Sequence, residues 1–285
     1  MSNTLDTPLD TRFAQPRVSL GPTSLRTTVS GKLSRFLARN LRTKSIPMRN
    51  AQPLISFTFD DVPASACSVG ARILEDHGAR GTLYISGGGC GRDSPGGRLA
   101  TADELRALHS RGHELGCHTY SHLAVSDNGF KELDYDFERN KAFLNHVTGE
   151  STTRNFAYPY GDFSFRTKRH LESRFGSCRS LIPGLHSKAV DLGALKTFAL
   201  DNSSIDQAGI TDLIDATVRQ TGWLIFSGHD VDNKPSKFGV SPDLLAYALY
   251  AAKEASCRIV TVAAALDLVR GAPAHHRQST APASV

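Results

Sequence analysis

Two adjacent carboxylates, a pair of histidines four positions apart and a His-Asp dipeptide are the side chains of this sequence best suited to chemistry. Asp60 and Asp61 follow the apolar run Leu54–Phe59. Carboxylates crowded at the end of a buried strand repel unless a cation or a proton compensates. The plainer reading is a turn opening ahead of Pro63. His118 and His122 stand in His118-Thr119-Tyr120-Ser121-His122, a spacing that puts both imidazoles on one face if the segment makes a helical turn. Two imidazoles and one carboxylate form a common mononuclear site for zinc or another divalent ion, with positions left open for water. Taken alone, the pair could be two polar histidines at a surface. His229 and Asp230 end the apolar run Trp223–Phe226, where an imidazole can act as acid or base near neutral pH. Together the three fragments make a hydrolytic set, although each has a structural explanation by itself.

Each fragment lies at the C-terminal end of a predicted strand, the edge on which barrels and open α/β sheets build their sites. The predicted strands are Leu54–Phe59, Thr82–Ile85, His113–Cys117, Asn155–Ala157, Leu195–Leu200, Trp223–Phe226 and Ile259–Val262. Between them the helical stretches are Ser65–His77, Thr101–Arg111, Lys131–Val147, Phe163–Arg174, Ile205–Thr221, Pro242–Ala255 and Ala263–Arg270. Thr101 and Glu104 make a capping box at the start of the second. Repeated strand–helix alternation predicts a parallel sheet covered by helices, as a barrel or a doubly wound sheet.

The 285 residues are 40% hydrophobic and 21% charged, which suits one large domain with tails. The positive excess sits in residues 1–50, where nine Lys/Arg face two Asp. The body is slightly acidic, which weakens a nucleic-acid role. The expected organisation is a basic, disordered arm over 1–50 with some helix near Leu33–Leu41, a catalytic domain over 51–270 and a disordered tail over 271–285. The His275–His276 pair in that tail reads as idle. Cysteines 67, 90, 117, 178 and 257 form no CxxC pair and read as reduced thiols. No membrane span or secretory leader is recognised, so a cytoplasmic location is expected.

The motifs resemble the polysaccharide deacetylase family, also called the NodB homology domain or carbohydrate esterase family 4. Thr58-Phe59-Asp60-Asp61 matches the first motif, His118–His122 the second, Pro159-Tyr160-Gly161 the third, and Leu224–Asp230 the last. Order and spacing agree over roughly Pro53–Arg270. The resemblance implies a distorted (β/α) barrel, commonly of seven strands. It implies a metal-dependent hydrolase that removes acetyl groups from N-acetylated sugars. Asp60 would be the base, and Asp61, His118 and His122 the ligands of one divalent ion, zinc first and cobalt, nickel or manganese next. Pro159 and Tyr160 would form the oxyanion side, Tyr160 through its backbone N–H, and His229 would be the acid.

Two departures stand out. Many members carry an arginine two residues before the third-motif proline to brace the base; here that position is Ala157, and no other arginine can be assigned the role. A segment that orients the acid histidine is also missing, leaving Asp201 and Asp230 as the carboxylates available for it. The alternatives are hydrolysis of a small non-sugar amide or imide and a catalytically inactive, glycan-binding descendant. Tyr120, Tyr158, Phe163 and Trp223 are candidates to stack on a sugar, although Trp223 could simply pack. The glycine-rich Ser86–Arg92 loop lacks Gly-Lys-Ser/Thr and reads as a rim beside the site rather than a phosphate loop. Cys117 is expected to face away from the site.

Overall fold

Every residue of Leu54–Asp60 is buried, which places this strand in the interior of a parallel sheet. The computed structural model describes residues 29–94, 96–150 and 153–271. Seven parallel strands follow one another around a barrel: β1 (Leu54–Asp60), β2 (Thr82–Ile85), β3 (Glu114–Cys117), β4 (Asn155–Ala157), β5 (Ser177–Pro183), β6 (Leu195–Ala199) and β7 (Trp223–Gly228). The barrel closes where β7 pairs with β1, from Trp223 opposite Leu54 to Gly228 opposite Phe59. A short β8 (Arg258–Ile259) lies along the N-terminal half of β1's other edge. Six of the predicted strands match barrel staves. Ser177–Pro183 had no counterpart in the predicted set, and the expected strand Ile259–Val262 is cut short because Thr261 caps a helix starting at Val262.

Alternation along β1 separates two environments. Ile55, Phe57 and Phe59 join the main core beneath the helices. On the other face the Trp223 indole donates to Ser56 Oγ at 3.0 Å, and Asp60 reaches the barrel mouth. Tyr84 fills part of the lumen, and Gly116 makes room for it: a Cβ at 116 would stand 2.5 Å from the Tyr84 ring. The covering helices are α2 (Ala71–Asp76), α3 (Ala102–Ser110), α4 (Phe130–Thr148), α5 (Phe165–Glu172), α6 (Gln207–Arg219), α7 (Pro242–Glu254) and α8 (Val262–Val269). The capping box at Thr101 and Glu104 is present on α3. The lower end of the barrel is closed by α8, whose Val262, Ala265, Leu266 and Val269 are buried with Leu54, Leu195 and Trp223. That i, i+3, i+4, i+7 spacing is one helix face.

The boundary expected at residue 50 falls inside folded structure. α1 (Val29–Asn40) packs on α5, and Ser45–Pro47 pairs antiparallel with Ala189–Asp191. Lys168 of α5 is fully buried because it caps the end of α1, donating to Ala38 O at 3.1 Å and Leu41 O at 2.6 Å while pairing with Asp191 at 2.7 Å. Two carbonyls and a carboxylate compensate the buried ammonium. The arm is therefore folded from residue 29 onward. Its expected disorder over 1–28, and the tail with His275–His276, lie outside the described residues.

Candidate metal and catalytic centre

At the end of β1 the chain turns sharply. Val62 N–H bonds back to Asp60 C=O, and Asp61 between them sits at φ +55°. Left-handed backbone is unfavourable for a non-glycine residue and persists only where surroundings impose it. Here it turns consecutive carboxylates to different partners. Asp60, 4% exposed, is gripped through both oxygens by Arg179 Nη2. Asp61 Oδ1 lies 3.2 Å from His122 Nε2 and 3.8 Å from His118 Nε2.

The two histidines occupy a loop after β3, not the helical turn expected from their spacing; Thr119 and His122 have φ of +60° and +53°. Helix α4 imposes this shape. Its Asp136 accepts from the N–H groups of Tyr120 and Ser121. One turn on, Asn140 donates to Ile85 O at 2.8 Å and accepts from Gly87 N–H at 2.9 Å. The glycine-rich segment packs against the same loop: Gly88 N–H donates to Tyr120 O at 2.8 Å, and a Cβ on Gly88 would stand 2.8 Å from that oxygen. Cys117 faces α4, where Asn140 contacts its sulfur at 3.1 Å.

His118 Nδ1 lies 2.8 Å from Ala157 O. A carbonyl can only accept, so Nδ1 carries the proton and Nε2 keeps its lone pair toward Asp61. The donor atoms of Asp61, His118 and His122 all lie within 4.8 Å of one another. Burial pushes both imidazoles down, His118 to about 4 and His122 to about 4, so both are neutral at neutral pH and able to act as ligands. Two neutral imidazoles and a carboxylate meeting at one point, with one tautomer fixed, fit a divalent cation of borderline softness.

For Asp60 burial works to raise the carboxyl pKa. The nearby Arg179 guanidinium, His118 and His229 outweigh it and hold the group below its ordinary value, hence ionised. Arg179 corrects the expectation that no arginine could brace this residue. It lies on β5, the strand missing from the predicted set, and its register partner on β4 is Ala157. Paired residues on parallel strands face the same side. A small side chain at 157 leaves the space, and the arginine enters from the next strand at the same height.

His229 follows β7 half-buried, close enough to influence the titration of Asp60 and His122. Its ring centroid is 5.4 Å from that of Phe238. Neither carboxylate proposed to orient it is engaged with it by hydrogen bond. Asp201 accepts from Ser203 N–H at 3.0 Å and its hydroxyl at 2.6 Å, and Asp230 accepts from Ser236 N–H at 2.8 Å and its hydroxyl at 2.5 Å. Both therefore shape loops beside the histidine. Pro159 is buried, and Tyr160 beyond it has φ +58°. Tyr160 is 64% exposed, and its ring meets His122 edge-on at 4.5 Å.

Three of the four aromatics named as sugar-stacking candidates are interior. Tyr158 stacks on Phe163 at 4.3 Å and donates to Gly193 O, and Trp223 is fully buried. Tyr120 is partly exposed beneath the Arg139 guanidinium, 4.0 Å from its ring centroid. The residues that sequence reasoning missed are Arg179, Asp136 and Asn140. The last two, four apart among the buried residues of α4, are polar interruptions of an apolar face and so were detectable in principle.

A family model described as polysaccharide deacetylase matches residues 48–175. A chitooligosaccharide deacetylase of Azorhizobium caulinodans is 30% identical over 116 residues, covering 40% of this chain, and the chain spans about half the length of that relative. Among solved structures, the Bc1960 peptidoglycan N-acetylglucosamine deacetylase aligns over 81% of this chain and 94% of its own at 16% identity and TM-score 0.55. A family 4 acetyl xylan esterase from Clostridium thermocellum with a cobalt ion aligns over 77% and 93% at 19% identity and TM-score 0.54. BA3943, a family 4 pseudoenzyme from Bacillus anthracis, aligns over 77% and 67% at 12% identity and TM-score 0.52. The resemblance to the polysaccharide deacetylase family read from the motifs is borne out. The structural likenesses establish its barrel, the deacetylase fold that the resemblance implied.

Proposed function

We propose that the chain is a metal-dependent hydrolase that removes acetyl groups from N-acetylated sugars, with oligomers of the chitin type as the first substrates to test. The observation that carries this reading is the meeting of Asp61, His118 and His122 at one point beside the ionised, arginine-held Asp60. Asp61, His118 and His122 would hold the ion, zinc first, with cobalt, nickel or manganese as substitutes. When bound, the ion supplies Lewis-acid polarisation of the acetyl carbonyl and a lowered pKa for water.

The chain's own residues do the rest. Asp60 takes the proton of the attacking water, and Arg179 fixes the direction of its lone pairs. Developing negative charge on the acetyl oxygen faces the Tyr160 N–H, held at the turn by Pro159 and its left-handed backbone. His229, near Asp60 and His122, protonates the leaving amine. The Tyr160 ring offers an exposed face for a pyranose. Five free cysteines, four of them buried, suit a reducing compartment, so we place the reaction in the cytoplasm.

The test is acetate release from chitin oligomers and other acetylated glycans, with small imides and ureides in parallel and each assay repeated after chelation. The expected result is glycan-dependent acetate release, lost with chelator and restored by zinc or cobalt. Turnover of the small amides alone would reassign the substrate class. A stoichiometrically loaded protein that releases acetate from none of them would place it with the inactive, glycan-binding descendants.

A further inference from the structure

The N-terminal segment ahead of the family match reaches the rim of the candidate site through one side chain. Arg35 of α1 donates from Nε to Asp162 Oδ1 at 2.8 Å, from Nη2 to Asp162 Oδ2 at 3.2 Å, and from Nη2 to Ser126 Oγ at 3.3 Å. Ser126 Oγ closes the triangle on Asp162 Oδ2, and Asp127 lies 3.8 Å from the same guanidinium. Asp162 directly follows the Pro159–Gly161 turn and donates its own N–H back to Pro159 O at 3.3 Å. Ser126 lies four residues after His122. One partly buried guanidinium thus joins the turn that carries Tyr160 to the loop that carries His122, two segments that also meet where the Tyr160 ring touches His122.

The anchorage of α1 makes this junction stiff. Ala38 is fully buried, Ser34 Oγ accepts from Phe165 N–H at 3.1 Å, and Lys168 caps the helix end. Lys44 then donates to Glu172 O at 2.7 Å and Phe175 O at 2.8 Å, and the Ser45–Pro47 ribbon follows. A bidentate arginine–carboxylate pair fixes direction as well as distance. Gly161, with φ +62°, leaves no slack on the opposite side, since a Cβ there would stand 2.7 Å from Leu181. The turn is wedged between Leu181 and the arm.

We propose that Arg35 is a positioning residue for the deacetylation reaction, holding the Tyr160 turn and the His122 loop in register, so that the arm from residue 29 completes the active site. The inference rests on the functional reading above. It assigns Arg35 no contact with substrate, so its loss should be felt in turnover more than in ligand binding.

The experiment compares full-length wild type, Arg35→Ala, Arg35→Lys and Asp162→Asn. It measures kcat and KM for acetate release, cobalt affinity from the visible absorption of the loaded protein, and amide hydrogen exchange. Small misplacements of a transition-state group cost up to about 10²-fold, so Arg35→Ala should lower kcat about 10-fold or more, with KM and cobalt affinity each within about 3-fold of wild type. Arg35→Lys should recover part of the loss, and Asp162→Asn, which approaches the junction from the other side, should reproduce it. Exchange should quicken at 122–127 and 160–163 and stay unchanged in the barrel strands. Wild-type kcat together with unchanged loop exchange in Arg35→Ala would overturn the proposal. If Arg35→Ala does not fold, Asp162→Asn decides by the same two readouts. If wild type itself releases no acetate, the exchange readout still judges the brace, and the catalytic reading fails separately.

Discussion

The two ends of the barrel treat buried polar groups in opposite ways. At the lower end Glu114 accepts from Thr82 Oγ1 at 2.9 Å, Ala263 N–H at 2.8 Å and Asn155 Nδ2 at 2.5 Å. Thr82 Oγ1 in turn accepts from Val262 N–H at 2.9 Å, and Asn155 Oδ1 from Ser177 Oγ at 2.8 Å. These groups satisfy one another and tie four strands, β2 to β5, to the start of α8. At the upper end Asp61, Thr119, His122 and Tyr160 all have positive φ, and the Nε2 atoms of two imidazoles face a carboxylate. Arg179 Nε and Tyr84 Oη below the mouth have no protein partner among the described residues. The lower network is complete without a ligand, whereas the upper one holds strained backbone and a convergent Asp–His–His set that suits a bound cation. Stability and the proposed chemistry thereby fall at different ends of the same strands.

This contrast can be broken or sharpened by substitution. The largest effect is expected at Asp60 and its partners: Asp60→Asn, His229→Ala and Arg179→Ala should each lower kcat by about 10²–10⁴-fold while the metal stays bound. Adding Ala157→Arg to Arg179→Ala should restore part of the lost rate if position in the barrel, and not position in the chain, is what counts. Normal turnover by Asp60→Asn would remove the base. Next, His118→Ala should abolish stoichiometric metal, read by elemental analysis, without unfolding the chain. At the lower end the signature reverses. Glu114→Ala should cost roughly 3 kcal/mol in denaturant unfolding, since it orphans several buried donors, yet leave kcat and KM of the folded fraction near wild type.

The last effect is one of pH. Burial lowers His118, His122 and His186 each to about 4 in the folded chain. Unfolded, they take a proton near 6.5. Between those values the unfolded state binds more protons, so metal-free stability rises with pH, by about 1.4 kcal/mol per unit for each group. Chemical denaturation of the chelated protein from pH 4 to pH 7 should show that slope. Replacing His186, buried behind Trp223 and away from the mouth, by a neutral residue should reduce it without touching metal uptake.

The motifs were legible because apolar strands ending in Asp-Asp, His and His-Asp leave a local trace. Six staves and the main helices were legible for the same reason, through periodicity and caps such as Thr101. Ser177–Pro183 was not, because its buried residues Ser177, Arg179 and Ser180 are polar and give no apolar run to recognise. With that strand unread, the brace for Asp60 could not be found. The arm escaped recognition for a related reason. Its basic composition suggested disorder, but Lys44, Arg35 and, from the other side, Lys168 spend their charge on carbonyls and carboxylates that only the folded chain brings together.

Arg179 stands one rung across from Ala157, and that placement has a practical consequence. In a closed ring of parallel strands, the two partners of any rung open onto the same interior level, so either can deliver a long side chain to one axial target. A linear signature records which strand makes the delivery. Chains that hand it to the neighbour will look deficient when scanned by pattern and intact when compared by depth along the axis.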